Sequence, residues 1–148
     1  MSVQILTDST SDILPEEAEQ KGVRVVPLLV NFGEEAFREN VEITHQEYFR
    51  RLAQAESLPT TSQPTPQDFL AHFEQVRDAG DSLVCVLLAS KLSGTWQSAM
   101  MAREMSNTPE RIHIVDSLNV SLGEATLVRL ALVRRAEMPN AAALKDCL

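Results

Sequence analysis

Leu83-Val84-Cys85-Val86-Leu87-Leu88-Ala89, running straight into Ser90-Lys91-Leu92-Ser93-Gly94-Thr95-Trp96-Gln97-Ser98, is the stretch that decides the fold. The apolar run has the length and β-branched content of a fully buried strand, and a helical pattern follows it at once. A cluster of small hydroxyl side chains and a glycine therefore lies between the carboxyl end of a strand and the amino end of a helix. In open parallel α/β sheets this is where ligands bind. The unsatisfied N–H groups of a helix start, helped by neighbouring hydroxyls, favour an anion. The cluster holds Lys91 but no histidine and no acid, so it reads as a grip on a ligand rather than an attacking group.

The flanking sequence repeats the same alternation. Residues 3–7 read as a short strand leading into the polar loop Asp8-Ser9-Thr10-Ser11-Asp12. Pro15, Glu16 and Glu17 then open a helix that Gly22 ends. Residues 23–30 read as one apolar strand in which Pro27 marks an edge or a bulge. Residues 31–43 read as a turn and irregular chain. Thr44 and Glu47 form a capping box for a helix that places Tyr48, Phe49 and Leu52 on one face. Residues 57–66, rich in proline and hydroxyls, read as a linker. Thr65 and Pro66 start the next helix, with Phe69, Leu70, Phe73 and Val76 as its buried stripe. Residues 111–115 form another strand, with Asp116-Ser117 at its carboxyl end and a long helix beyond residue 123. This order predicts an α/β domain: a mostly parallel sheet of four or more strands with helices on both faces.

Composition bounds the function. The 148 residues are 44% hydrophobic and 23% charged, enough for one domain with a substantial core. A net charge of −8, from 21 acids against 13 bases, disfavours nucleic acid and anionic membrane surfaces as partners. No apolar stretch approaches the roughly 20 residues of a membrane span, so stable membrane insertion is not expected. No secretory pattern follows Met1, so a cytoplasmic location is the expectation. Cys85 lies in the strand run and Cys147 near the end, without metal-ligand spacing; no metal and no cofactor are expected. The pattern stops in mid-element at Leu148, which reads as a piece of something longer.

Asp8-Ser9, Ser90 through Thr95, and Asp116-Ser117 fall at strand ends that a parallel sheet brings to one edge, and Thr60-Thr61-Ser62 can lean over it. Taken singly, each cluster reads as turn and capping chemistry. Together they can line one cleft. A serine hydrolase fits poorly, because Ser93 lacks a Gly-x-Ser-x-Gly elbow and none of His45, His72 and His113 follows a strand end. A phosphate cradle fits poorly too: Ser93-Gly94-Thr95 offers one glycine, and Asp8 and Asp12 would repel a multiply charged group. A singly charged carboxylate held by neutral hydroxyls fits better.

Leu6-Thr7-Asp8-Ser9-Thr10-Ser11-Asp12, Val26-Pro27-Leu28, Thr61-Ser62-Gln63-Pro64, Leu92-Ser93-Gly94-Thr95 with Gln97-Ser98-Ala99, and Val115-Asp116-Ser117 resemble, in order and spacing, the motifs of the DegV family. The resemblance implies that residues 1–148 are the N-terminal α/β domain of a longer protein whose second domain lies outside this chain. It implies a non-enzymatic role, binding one long-chain fatty acid and, in FakB-like members, presenting its carboxylate to a fatty-acid kinase subunit. Thr61 and Ser93 are then the hydroxyls on the carboxylate, Gly94 and Thr95 add backbone N–H groups, and Asp8, Ser9, Ser62 and Ser117 stand behind them. Three positions depart from the family pattern: Ala89 where a serine-rich run starts, Ala125 for a glycine, and Arg38-Glu39-Asn40 for an aspartate-glycine turn. A buried acyl chain contributes about 0.8 kcal/mol per methylene, while its carboxylate needs donors to offset desolvation. Two other readings stay open: an acyl-group enzyme using Ser93 or Asp8 with the missing domain, and a non-binding fragment that self-associates.

Overall fold

The computed structural model describes residues 2–148. In chain order the elements are β1 (Val3–Asp8), α1 (Pro15–Lys21), β2 (Val23–Val26), β3 (Leu29–Phe32), β4 (Glu35–Arg38), α2 (His45–Leu52), β5 (Thr60–Ser62), α3 (Pro66–Asp78), β6 (Ser82–Leu87), α4 (Thr95–Met105), β7 (Ile112–Asp116), α5 (Leu122–Arg134) and α6 (Ala141–Cys147). A single 3₁₀ turn, Ser9–Ser11, follows β1, and another, Pro109–Arg111, precedes β7.

Four strands form a parallel sheet in the order β2-β1-β6-β7. Because strand side chains alternate, its apolar residues divide between two faces, and both are covered. On one face Ile5, Val84, Val86 and Val115 pack with Ala125, Val128 and Ala131 of α5 and Leu144 of α6. On the other, Leu6, Leu83, Cys85, Leu87 and Ile114 pack with Phe69, Phe73 and Val76 of α3 and Ala99 and Ala102 of α4. The expected α/β architecture, a parallel sheet between helices, is the one observed. Helix ends follow local chemistry as read. Thr65 and Asp68 close a reciprocal capping box on α3, and Gly22 ends α1 at φ +64°, where a side chain would be strained.

The region between β2 and α3 differs from the expectation. The strand expected over residues 23–30 is broken at Pro27, which has no N–H to give a ladder. Its first half, β2, joins the parallel sheet. Its second half, β3, joins a separate antiparallel sheet in the order β4-β3-β5. The supposed irregular stretch contains β4, joined to β3 by a hairpin in which Phe32 faces Glu35 and Gly33 turns the chain at φ +60°. The supposed linker contains β5, with Thr61 opposite Val30. On α2 the capping box is half formed. Thr44 Oγ1 accepts the Glu47 N–H at 3.2 Å, but the Glu47 carboxylate turns to Arg50 and Arg51 at 2.7 and 2.8 Å. The helix expected after Thr44 is α2; it buries none of its residues, and Phe49 is 62% exposed. Among the described residues no helix is long and apolar enough to cross a membrane, and no group of three or more His, Cys, Asp or Glu side chains could hold a metal.

Candidate ligand-binding site

The parallel sheet brings the carboxyl ends of β1, β6 and β7 to one edge, and hydrogen bonds tie their loops together. Asp116 accepts the N–H groups of Ser90 and Leu118 at 3.1 Å each, the Ala89 N–H donates to the Asn119 carbonyl, and the Ser121 N–H donates to the Thr10 carbonyl. The antiparallel sheet stands beside this edge. Its link is Ser9, whose hydroxyl donates to Glu39 Oε2 at 2.7 Å and accepts the Leu28 N–H at 2.9 Å.

Between the two sheets opens a cleft of about 600 Å³. Its walls carry the hydroxyls of Thr10, Thr61, Ser93 and Ser121, the carboxyls of Asp12 and Glu39, the Gln63 amide, and apolar Leu28, Leu88, Leu92 and Val120, with Gly94 at the start of α4. Thr61, on β5 of the antiparallel sheet, and Ser93, in the loop between β6 and α4, are far apart in sequence and line the same space. Asp12 and Ser121 both hold positive φ, near +55°, and the Ser121 hydroxyl donates to Asp12. Non-glycine residues in that region are strained and recur at ligand sites.

Each expected site residue has a definite place. Thr61 is exposed on the cleft side of β5, whereas Ser62 accepts from Asn31 Nδ2 at 2.9 Å on the opposite face. Strand alternation thus takes Ser62 out of the group. Thr95 is fully buried, and its N–H donates to Ser93 Oγ at 3.2 Å, so that N–H is not free for a ligand. The hydroxyls of Thr95 and Ser93 lie 2.9 Å apart. Ser117 is buried in its own turn, exchanging hydrogen bonds with the backbone of Asn119. Ser9 works as the joint between sheets. The Gln63 carboxamide lies over Gly94: a Cβ there would come within 2.5 Å of it.

Asp8 sits behind the cleft, and the structure supplies it with a partner that sequence reading missed. Asp8 Oδ1 accepts from the N–H and hydroxyl of Thr10, and Oδ2 accepts the Leu88 N–H. Glu124, fully buried on α5, lies against the hydroxyls of Thr7 at 3.1 Å and Thr10 at 2.8 Å. One Thr10 proton cannot serve two carboxylates, so one of the pair must be protonated. Burial raises both acids, and four donors oppose this at Asp8: the Thr10 hydroxyl, the Leu88 and Thr10 N–H groups and the Glu124 carboxyl; burial and then the Asp8 charge drive Glu124 well above the ordinary carboxylate range. The proton stays on Glu124. In sequence Glu124 is merely an acid in the first turn of a helix, the commonest place for one.

Glu39, also unassigned from sequence, is raised chiefly by burial; the Ser9 hydroxyl and His45 oppose the shift, and Asp12 and Asp8 add to it. Asp12 and Glu39 form a sill between the cleft and a second recess of about 300 Å³, bounded by Val30, Ile43, His45, Tyr48 and Phe49. No histidine lines the main cleft among the described residues.

The model of the DegV family of uncharacterised proteins matches residues 2–137. A DegV domain-containing protein of Caldanaerobacter subterraneus is 36% identical over 126 residues, 85% of this chain and 44% of that protein. One from Halalkalibacterium halodurans is 44% identical over 104 residues, 70% of this chain and 37% of its own length. A Thermus thermophilus DegV family structure described as binding fatty acid superposes with a TM-score of 0.86 at 36% identity, covering 97% of this chain and 51% of that one. The structure of DegV from Bacillus subtilis, described as a fatty-acid-binding protein, gives 0.84 at 30% identity over 97% of this chain and 49% of that one. The chain spans about half the length of these relatives or less. Matched by the family model over most of its residues, the chain belongs to the DegV family.

Proposed function

We propose that this chain binds a long-chain fatty acid, with the carboxyl group in the cleft between Thr61 and Ser93. The observation that supports this reading is that Thr61 of β5 and Ser93 of the loop before α4 line one cleft at the carboxyl edge of the parallel sheet. Ser93 Oγ accepts the Thr95 N–H and, with Thr95 donating, the Thr95 hydroxyl as well. Its own proton is then free for a ligand oxygen, as is the Gly94 N–H at the positive end of α4. Leu28, Leu88, Leu92 and Val120 meet the first methylenes. A serine that donates to its ligand, with no histidine in the cleft, acts as a holder rather than a nucleophile. In this reading the chain is the N-terminal unit of a cytoplasmic carrier, and the open edge lets a fatty-acid kinase subunit reach the head group.

Native purification followed by lipid extraction and mass spectrometry, with direct titration of oleate, tests the proposal. We expect co-purifying or added fatty acid to bind, and the double variant Ser93→Ala/Thr61→Ala to bind at least about tenfold more weakly with an unchanged melting temperature. Absence of binding under both conditions overturns it.

A further inference from the structure

The cleft that would receive an anion is built from acids. Asp12 and Glu39 line it, and among the described residues no lysine, arginine or histidine does. Asp8 and Glu124 lie behind Thr10. Among the described residues the wall offers a head group no cationic partner, so on this wall its charge is met by neutral donors and by the acids themselves.

Glu39 is the group best placed to supply that answer. Its Oε2 accepts the Ser9 hydroxyl, and Oε1 has no hydrogen-bond partner among the described residues. The Ser9 proton is committed to Glu39 Oε2, and Ser9 Oγ in turn accepts the Leu28 N–H. The charged and titratable groups around Glu39 are few. From the end of β1 and its 3₁₀ turn it meets Asp8 and Asp12, and from the start of α2 it meets His45, which borders the recess beyond the sill. β5, the loop before α4 and the start of α5 present only neutral groups to the cleft; Lys91, on that loop, interacts with Asp116. Burial already favours the protonated form of Glu39, and an arriving carboxylate adds a like charge in the same direction.

Two carboxyl groups in one partly dry cleft are compatible when they share a single proton: one becomes the donor and the other the acceptor of a short, charge-assisted hydrogen bond. We propose that the cleft takes up its fatty acid together with one proton, held between the head group and Glu39. This inference rests on the fatty-acid reading above and adds what that reading leaves open, the charge state of the bound head group.

The test is calorimetric titration of palmitate into the 148-residue chain between pH 7 and 9, in two buffers of different ionisation enthalpy. The expected result is uptake of about one proton per ligand at the upper end, with affinity falling about tenfold per pH unit there. Glu39→Gln, which supplies an amide donor without a titrating proton, should abolish the uptake and bind more tightly than the parent at pH 9. Equal heats in the two buffers with a flat affinity overturn the proposal while leaving fatty-acid binding intact. Uptake that survives in a folded Glu39→Gln overturns the assignment to Glu39. No palmitate binding at any pH overturns both readings. Should Glu39→Gln fail to fold, the buffer comparison on the parent chain decides the matter alone.

Discussion

Strand β6 buries five of its six residues, whereas β5, which carries Thr61, buries none. The contrast extends to the two sheets. The parallel sheet is covered on both faces by aliphatic side chains and the Phe69–Phe73 pair, whose ring centres lie 6.1 Å apart. In the antiparallel sheet only Val30 of β3 is buried, and β4 has no buried residue. The second sheet is held instead by polar and surface contacts: Asn31 with Ser62, Arg51 with Glu35 and over the Phe37 ring at 4.6 Å, and Ser9 with Glu39. Such contacts stabilise weakly at a surface, and regions built from them open at low cost. The cleft thus has one wall fixed by the core and one wall held lightly, a division that suits the proposed uptake of a long acyl chain.

The largest expected effect separates the two walls. Phe73→Ala should cost about 3–5 kcal/mol in urea unfolding, the range for a fully buried aromatic. Phe37→Ala, which removes a surface ring under Arg51, should cost about 1 kcal/mol or less. Similar losses would mean that the antiparallel sheet shares the core's stability. Ser9→Ala strikes the joint. It leaves the buried Leu28 N–H without a partner, at a cost of about 1–3 kcal/mol. Hydrogen exchange should quicken in β3 and β5 while β6 amides hold; uniform quickening would show that both sheets open as one.

The smallest effect sharpens the fixed wall. Glu124 carries its proton in the folded state far above its unfolded value, about 4.3. Its contribution to stability is therefore complete below that value and is lost as pH rises toward the folded value. The parent chain should lose stability between pH 5 and 8, and Glu124→Gln should flatten this slope and gain about 1 kcal/mol at pH 8. An unchanged slope would place the proton elsewhere.

The same division governs what the sequence discloses. The run 83–89 announces β6 because a strand buried on both faces has no polar positions to confuse the reading. Hydroxyls at strand ends were legible as a group because a parallel sheet has a single carboxyl edge. Thr60-Thr61-Ser62 hides β5, since three exposed hydroxyl residues carry no apolar alternation and prolines stand on either side. Pro27 was legible as an edge or a bulge within one strand, not as the break it makes; after it the Leu28 N–H goes to Ser9, a contact across 19 positions, and the chain passes to a second sheet. Glu39 and Glu124 were silent for a related reason. An acid in a loop or in a helix's first turn looks solvated, and only the packing of β1 against them makes it otherwise.

Gly94 has an ordinary backbone, so its lack of a side chain serves clearance rather than conformation. The atoms a methyl group would strike belong to the flexible end of Gln63, the residue that follows β5. The spacing between the jaws is therefore set by one missing carbon, at a position where crowding would displace a side-chain tip and leave the core alone. Aperture and stability are separable properties in this domain, and the first can drift through substitution while the second stays put.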